Sequence, residues 1–318
     1  MNRRDPPKSL FGYIWQVSAR HQAVLAVLSV VVFLLSAAPL ELQRRIVNDA
    51  IARGATATVL WLALAYGGVA LAEGGIKLCM NIYRGWVSET VVRDLRRGIG
   101  KLSTFAVNAE ERAKVEGVEI SMTLSEAEPI GGFAGISFSE PLLQGGVLLS
   151  VFGYLSYLEP WMALLSLLVF SPQLVFVPLL QAAINRRASE RIRTLRSVGG
   201  DIAGASGGDA GMAALQNSHI DRVFALNMGI YKIKFSMNFL MNLMHHMGVA
   251  TALGAGGWLA VQGRLEVGTV VAFVSGLAKV NDPWGDIVNW FREMTVTRVR
   301  YALVADAMRW LAHDEDVE

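Results

Sequence analysis

The chain has 318 residues, of which 53% are hydrophobic and only 18% charged, where a soluble domain carries about 25% charge. Its net charge of +2 is too small to favour a nucleic-acid partner. The single cysteine, Cys79, cannot close an internal disulfide, which argues against a stapled secreted scaffold.

Residues 1–21 place charges ahead of an apolar block. Leu10, Ile14 and Val17, with Phe11, Tyr13 and Trp15 around them, predict an interfacial helix whose aromatic rings suit the headgroup level. The apolar block that follows is too long for the core of a cleaved signal peptide and reads as a retained span. A hydrocarbon core about 30 Å thick takes roughly 20 apolar residues. Six segments meet that length, at 22–42, 57–80, 136–158, 161–183, 239–261 and 267–290. The expected fold is therefore an all-α membrane protein with six transmembrane helices. Its body runs over 22–311, and a short acidic tail follows at 312–318.

Connections alternate in length. Those after the first, third and fifth spans are short, while those after the second and fourth form excursions over about 84–135 and 184–238. The short connections hold only Arg44, Arg45, Arg53 and Arg264, and Lys77 and Lys279 lie within spans. Every other Lys and Arg falls in the excursions and the two ends. The positive-inside rule then makes the excursions and both termini cytoplasmic. The expected location is a bacterial inner (cytoplasmic) membrane, with lipid as the surrounding partner. In the first excursion Val87, Val91, Leu95 and Ile99 recur every four residues among charges, the pattern of an amphipathic helix continuing the second span. The second excursion contains Gly199, Gly200, Gly204, Gly207, Gly208 and Gly211. Each glycine costs a helix about 1 kcal/mol relative to alanine, so a loose or broken arm is expected there.

Three local motifs carry a resemblance. Gly263, Val267, Gly268, Ala272, Phe273 and Pro283 form a short loop, a Gly-rich helix start and a proline about ten residues on. Val91-Val92-Arg93-Asp94-Leu95-Arg96 enters the first excursion, and PLELQRRIVNDAI (39–51) ends the first span. In order and spacing, roughly residues 8 to 310 resemble the transmembrane domain of exporter-type ABC transporters (the type I exporter, or type IV, fold). The resemblance implies a homodimer or heterodimer around an alternating-access path. It also implies separate ABC ATPase subunits docking on short coupling helices. By position these fall near Phe105, Asn108 and Glu111, and near Phe224, Asn227, Met228 and Tyr231. The chain departs from the family pattern where Met122 and Glu126 replace an Arg and an Asp, and where Asn227, Met228 and Gly229 occupy the stretch in which the family usually carries an acidic residue.

No phosphate-cradling G-x-x-x-x-G-K-[S/T] loop is present. The one Gly-Lys pair, Gly100-Lys101, is followed by Leu102, and Ser206-Gly207-Gly208-Asp209 stands without Walker sequences. The chain itself is expected to be no enzyme and to hold no cofactor, with ATP and Mg²⁺ in a partner subunit. Charges within spans cost roughly 2.5–3.5 kcal/mol each, which makes them candidates for the translocation path. Glu73 and Lys77 are four apart on one helix face, either paired with each other or facing a cavity. Lys279, Asp282 and Asp286 flank Pro283. Asn238, Asn242 and His245 form a polar stripe, whereas adjacent His245 and His246 diverge too far to share a metal. Two other readings remain: a degenerate, non-hydrolysing scaffold of the same fold, or an ion-gradient-driven carrier using Glu73, Asp282 and Asp286.

Overall fold

The computed structural model describes residues 7, 9–51, 54–103, 126–204 and 210–313. Among these residues the chain is helix joined by short turns, with no strand. The elements are α1 (Leu10–Ser36), α2 (Ala38–Arg45), a π-helical turn (Ile46–Ile51), α3 (Thr56–Ser103), α4 (Ala127–Ile136), α5 (Ser139–Leu158), α6 (Pro160–Phe170), α7 (Gln173–Gly204), α8 (Ala210–Val261) and α9 (Val267–His313). Four stretches are long and apolar enough to cross a membrane: Leu10–Asp49, Thr56–Gly100, Ala127–Leu158 and Pro160–Leu195. They contain the first four expected spans. The expected fifth and sixth lie inside α8 and α9. These two helices carry His245, His246, Lys279 and Asp282 and fall outside the four.

By contacts the chain divides into two units, Met1–Leu158 with Glu266–Glu318, and Glu159–Leu265. In the first unit the chain enters through a capped helix: Ser9 Oγ accepts from the Gly12 amide at 3.1 Å, satisfying one of the free N–H groups of the first turn. The expected interfacial segment is the start of α1 and bends into the span at Ser18 (φ −133°, ψ 19°). Ser18 Oγ donates to the Ile14 carbonyl at 2.7 Å, and Gln22 Nε2 donates to Ser18 Oγ and to the Ala134 carbonyl at 2.8 Å. The groups exposed by the bend are thus met by side chains, as a dry environment demands.

That elbow rests on a core built where α1, α3, α4 and α9 converge. Leu10, Tyr13 and Ile14 meet Val91, Leu95 and Ile99 from the extension of α3. Ile130 and Phe133 of α4 and Tyr301, Val304 and Met308 of α9 complete it. The four-residue stripe that predicts a helical extension is therefore its buried face. Tyr301 stacks on Tyr13 at 5.2 Å and donates to the Pro7 carbonyl at 2.6 Å. Burial pushes the Tyr301 hydroxyl up to about 12.

Helix α4 lies against α3 at backbone distance because of two glycines one turn apart. A methyl group at Gly131 would stand 2.8 Å from the Ser88 carbonyl oxygen, and one at Gly135 would stand 2.6 Å from the Arg84 carbonyl oxygen. Small residues at this spacing let membrane helices approach closely.

In the second unit α7 and α8 run antiparallel, and α6 joins α8. Arg191 Nη1 donates to Asn227 Oδ1 at 3.2 Å, and Arg222 pairs with Glu190. The glycine-rich arm is helical through Gly199, Gly200 and Gly204 and helical again from Ala210; Gly207 and Gly208, where the sequence predicts a loose or broken arm, lie outside the described residues. The expected fourth span is broken at Ser171-Pro172 between α6 and α7, since proline cannot continue the helical ladder. Helix α8 is closed by Gly263 (φ 71°). The Arg264 amide bonds the Leu259 carbonyl and the Gly263 amide the Ala260 carbonyl, a Schellman closure that requires glycine in the left-handed region.

Gly135→Ala forces a methyl group onto a carbonyl that cannot move independently. It should destabilise the protein by about 1–3 kcal/mol. Gly132→Ala, with open space around it, should be neutral or gain up to about 1 kcal/mol from helix propensity. Thermal unfolding of both variants in detergent or lipid discs separates them.

Candidate functional site

Polar groups in the first unit gather at three levels. The first begins where α1 ends. Pro39 follows the break at Ala37 and has no N–H to donate, while the Leu40 amide bonds Ala37. The Ser36 carbonyl is therefore not taken by the helix ladder, and Lys279 Nζ donates to it at 2.9 Å. The same ammonium stands 3.8 Å from Glu73 Oε2. Glu73 thus turns to α9 instead of pairing with Lys77, so the local pairing considered from their spacing is replaced by a link between helices.

The second level is a hub on Glu41. Its carboxylate accepts from Arg44 (2.9 and 3.0 Å), Arg45 (2.6 Å) and Tyr154 (2.5 Å). Arg44 reaches on to Glu266 at 3.2 Å, and Asn48 donates to Glu266 at 2.6 Å. The Gly268 amide donates to Asn48 Oδ1 at 2.6 Å, and a methyl group at Gly268 would meet that oxygen and the Arg44 carbonyl at 2.5 Å. The PLELQRRIVNDAI segment and the start of α9 are therefore one structure. The π-helical turn Ile46–Ile51 carries Asn48 into place; such turns concentrate where a helix is bent to a particular contact.

The third level is the most buried. Arg84 of α3 donates from Nη1 to Glu140 Oε2 of α5 at 2.5 Å, and the whole residue is 8% exposed. Gln144, one turn after Glu140, donates from Nε2 to Glu140 Oε1 at 2.7 Å and to Asp286 Oδ2 of α9 at 2.9 Å. Trp290 Nε1, one turn beyond Asp286, donates to the Ser137 carbonyl at 3.1 Å. Breaking a buried ion pair by removing one partner typically costs 3–5 kcal/mol.

Of the expected path residues, the first unit thus brings Glu73 and Lys279 together and sets Asp286 on Gln144. Lys77 and Asp282 are exposed. Asn242 is exposed on α8 in the second unit, and His245 is half-buried with its ring 5.4 Å from that of His246. Among the described residues no group of three metal-ligating side chains is assembled. Of the expected docking residues, Phe105, Asn108 and Glu111 lie outside the described residues. Phe224, Met228 and Tyr231 are exposed on one face of α8, in register with Ile220, Phe235 and Phe239, whereas Asn227 turns to Arg191 on α7. This stretch is the middle of a continuous helix and not a separate short helix at the arm's tip.

Arg84, Glu140, Gln144, Glu41 and Tyr154 were not singled out from sequence. Arg84 counts naturally with the basic first excursion. The four-residue spacing of Glu140 and Gln144 was the available signal for a polar face on the third span. A scan against protein-family models and a search of curated proteins both find no match for the chain.

Glu73→Gln and Lys279→Met should not be additive in stability. Lys279→Met should cost more, because only the lysine also satisfies the Ser36 carbonyl. The double variant should recover about 0.5–2 kcal/mol relative to the sum, measured by thermal unfolding in detergent.

Proposed function

We propose that this chain is the membrane-spanning subunit of an exporter-type ABC transporter, with six crossings. It would form the translocation path with a second transmembrane subunit and take its motion from separate ATPase subunits. The observation that carries this reading is helix length. Helices α3, α8 and α9 have 48, 52 and 47 residues, roughly 70–78 Å at 1.5 Å per residue, more than twice the roughly 30 Å of a hydrocarbon core. The surplus lies at the basic ends, while the opposite ends are closed by the turns at Gly54 and Gly263. Long stiff rods running through a membrane into two arms are levers, and a lever is useful only if something moves its far end.

The exposed stripe of Phe224, Met228 and Tyr231 supports a docking role for the second arm, with contact made along the helix face. No catalytic group is assigned to this chain; ATP and Mg²⁺ would belong to the partner. A second reading, a non-hydrolysing scaffold of the same fold, is favoured by the glycine content around the arm's tip, which weakens a lever where force would be applied.

Topology separates six crossings from four. In a Cys79→Ser background, single cysteines at Gly100, Ile220, Glu159 and Arg264 are labelled with an impermeant maleimide in right-side-out and inverted vesicles. Six crossings put Gly100 and Ile220 on the cytoplasmic side and both Glu159 and Arg264 outside. Four crossings put Arg264 with Gly100, and that result ends the transporter reading. Coupling is then tested by co-purification: a partner ATPase whose activity responds to this chain should lose that response when residues 224–231 are scrambled.

A further inference from the structure

The second unit carries its charge unevenly. From Pro160 to Ser189 and from Val223 to Leu265 the sequence holds no Asp or Glu. The same stretches contain Arg186, Arg187, Lys232 and Lys234, all of them exposed. None of these four meets a carboxylate among the described residues. Glu190, the next carboxylate along α7, is taken by Arg222.

Packing sets the four cations at one level. Helices α7 and α8 run antiparallel, and two contacts fix their register. Arg191 bonds Asn227, and the stem of Arg187 lies across Gly229, where a methyl group would stand 3.2 Å from Arg187 Cδ and 3.0 Å from its Nε. Lys232 and Lys234 follow Gly229 by three and five residues. The four therefore span roughly 8 Å along the helix axes, at 1.5 Å per residue. That level is the edge of the apolar run of α7, which closes with Ile184 two residues before Arg186. Beside the lysines, Phe235 and Phe239 are exposed on α8, and Tyr231 stacks on Phe235 at 6.2 Å.

Long cationic side chains lay their stems along apolar surface and carry the charge out to the headgroup layer. Phosphate oxygens in that layer are acceptors suited to guanidinium and ammonium groups, and aromatic rings settle at the same depth. An acidic protein segment would match the four charges, but not the apolar run and the exposed rings immediately beside them.

We propose that Arg186, Arg187, Lys232 and Lys234 form a binding belt for the headgroups of anionic phospholipid, with Phe235 and Phe239 against the upper acyl chains. The belt rests on the reading that the second unit is embedded in a bilayer, and it needs no ATPase partner.

The test uses the full chain in lipid discs, in a Cys79→Ser background with one fluorophore on Ser236→Cys, an exposed position next to Phe235. The discs mix phosphatidylcholine with phosphatidylglycerol, and one or the other carries bromine near the headgroup end of its chains as a quencher. Quenching should show phosphatidylglycerol enriched about fivefold around the fluorophore, the order expected for one cation at an anionic surface. Changing all four cations to Gln should bring the two lipids to parity. Arg186→Lys with Arg187→Lys should keep the enrichment, as should Arg292→Gln with Arg298→Gln in the first unit. Equal quenching by the two lipids around the unaltered belt overturns the proposal and leaves the embedding intact; an acidic protein segment covering the belt gives that result. Enrichment that survives the four Gln changes overturns it as well. No quenching by either lipid overturns the embedding, and the belt with it. Enrichment abolished by inorganic phosphate at constant ionic strength assigns the belt to a free anion instead of a lipid.

Discussion

Burial of the Arg84 guanidinium between α3 and α5 is the contact on which the first unit turns. A buried arginine is tolerable only when its charge is met, and Glu140 meets it at 2.5 Å. The close approach that buries it depends on Gly135, set against the carbonyl of Arg84 itself, and on Gly131 one turn earlier. Two residues without side chains therefore decide the electrostatics of a third that has a long one. The same approach presses the Val91–Leu95–Ile99 face of α3 against Ile130 and Phe133. From that core the N-terminal segment and the end of α9 take their positions.

A second constraint is the satisfaction of backbone groups wherever a helix breaks. At Ser18 a hydroxyl and Gln22 serve the bent turn. At Ala37 the break leaves the Ser36 carbonyl to Lys279. At Ser137 the carbonyl is taken by Trp290. In each case the repairing residue either sits on another helix or reaches to one. A kink in this protein is thus also a joint between elements, and moving one helix changes how the backbone of another is satisfied. That coupling is the physical content of a lever.

Much of this was legible in the sequence. Period-four stripes gave the α3 extension, and the run of Leu10, Ile14 and Val17 gave the helical start of α1. The break at Ser171-Pro172 was hidden because its apolar flanks read as one span. Glu73 could be placed on a face with Lys77, but the choice of Lys279 as partner depends on a carbonyl freed by a break some 240 residues away in sequence. Arg84 was hidden for a similar reason: composition assigns an arginine at the end of a span to the cytoplasm, and only the glycines of α4 show that it is covered.

Helices α8 and α9 bear most directly on what surrounds the chain. A helix carrying Lys279 and Asp282, or His245 and His246, cannot turn those groups toward lipid without a cost of several kcal/mol. In the first unit Lys279 is answered by Glu73 and Ser36, and Asp286 by Gln144. Asp282 and Lys77 remain exposed, as do Asn238 and Asn242 on α8. If these helices cross the bilayer, the exposed polar groups need water or further protein beside them, because lipid offers neither hydrogen bonds nor counter-charge. The second transmembrane subunit and aqueous path of the proposed function would supply both. The residues too polar to face lipid would then be the ones that line the path.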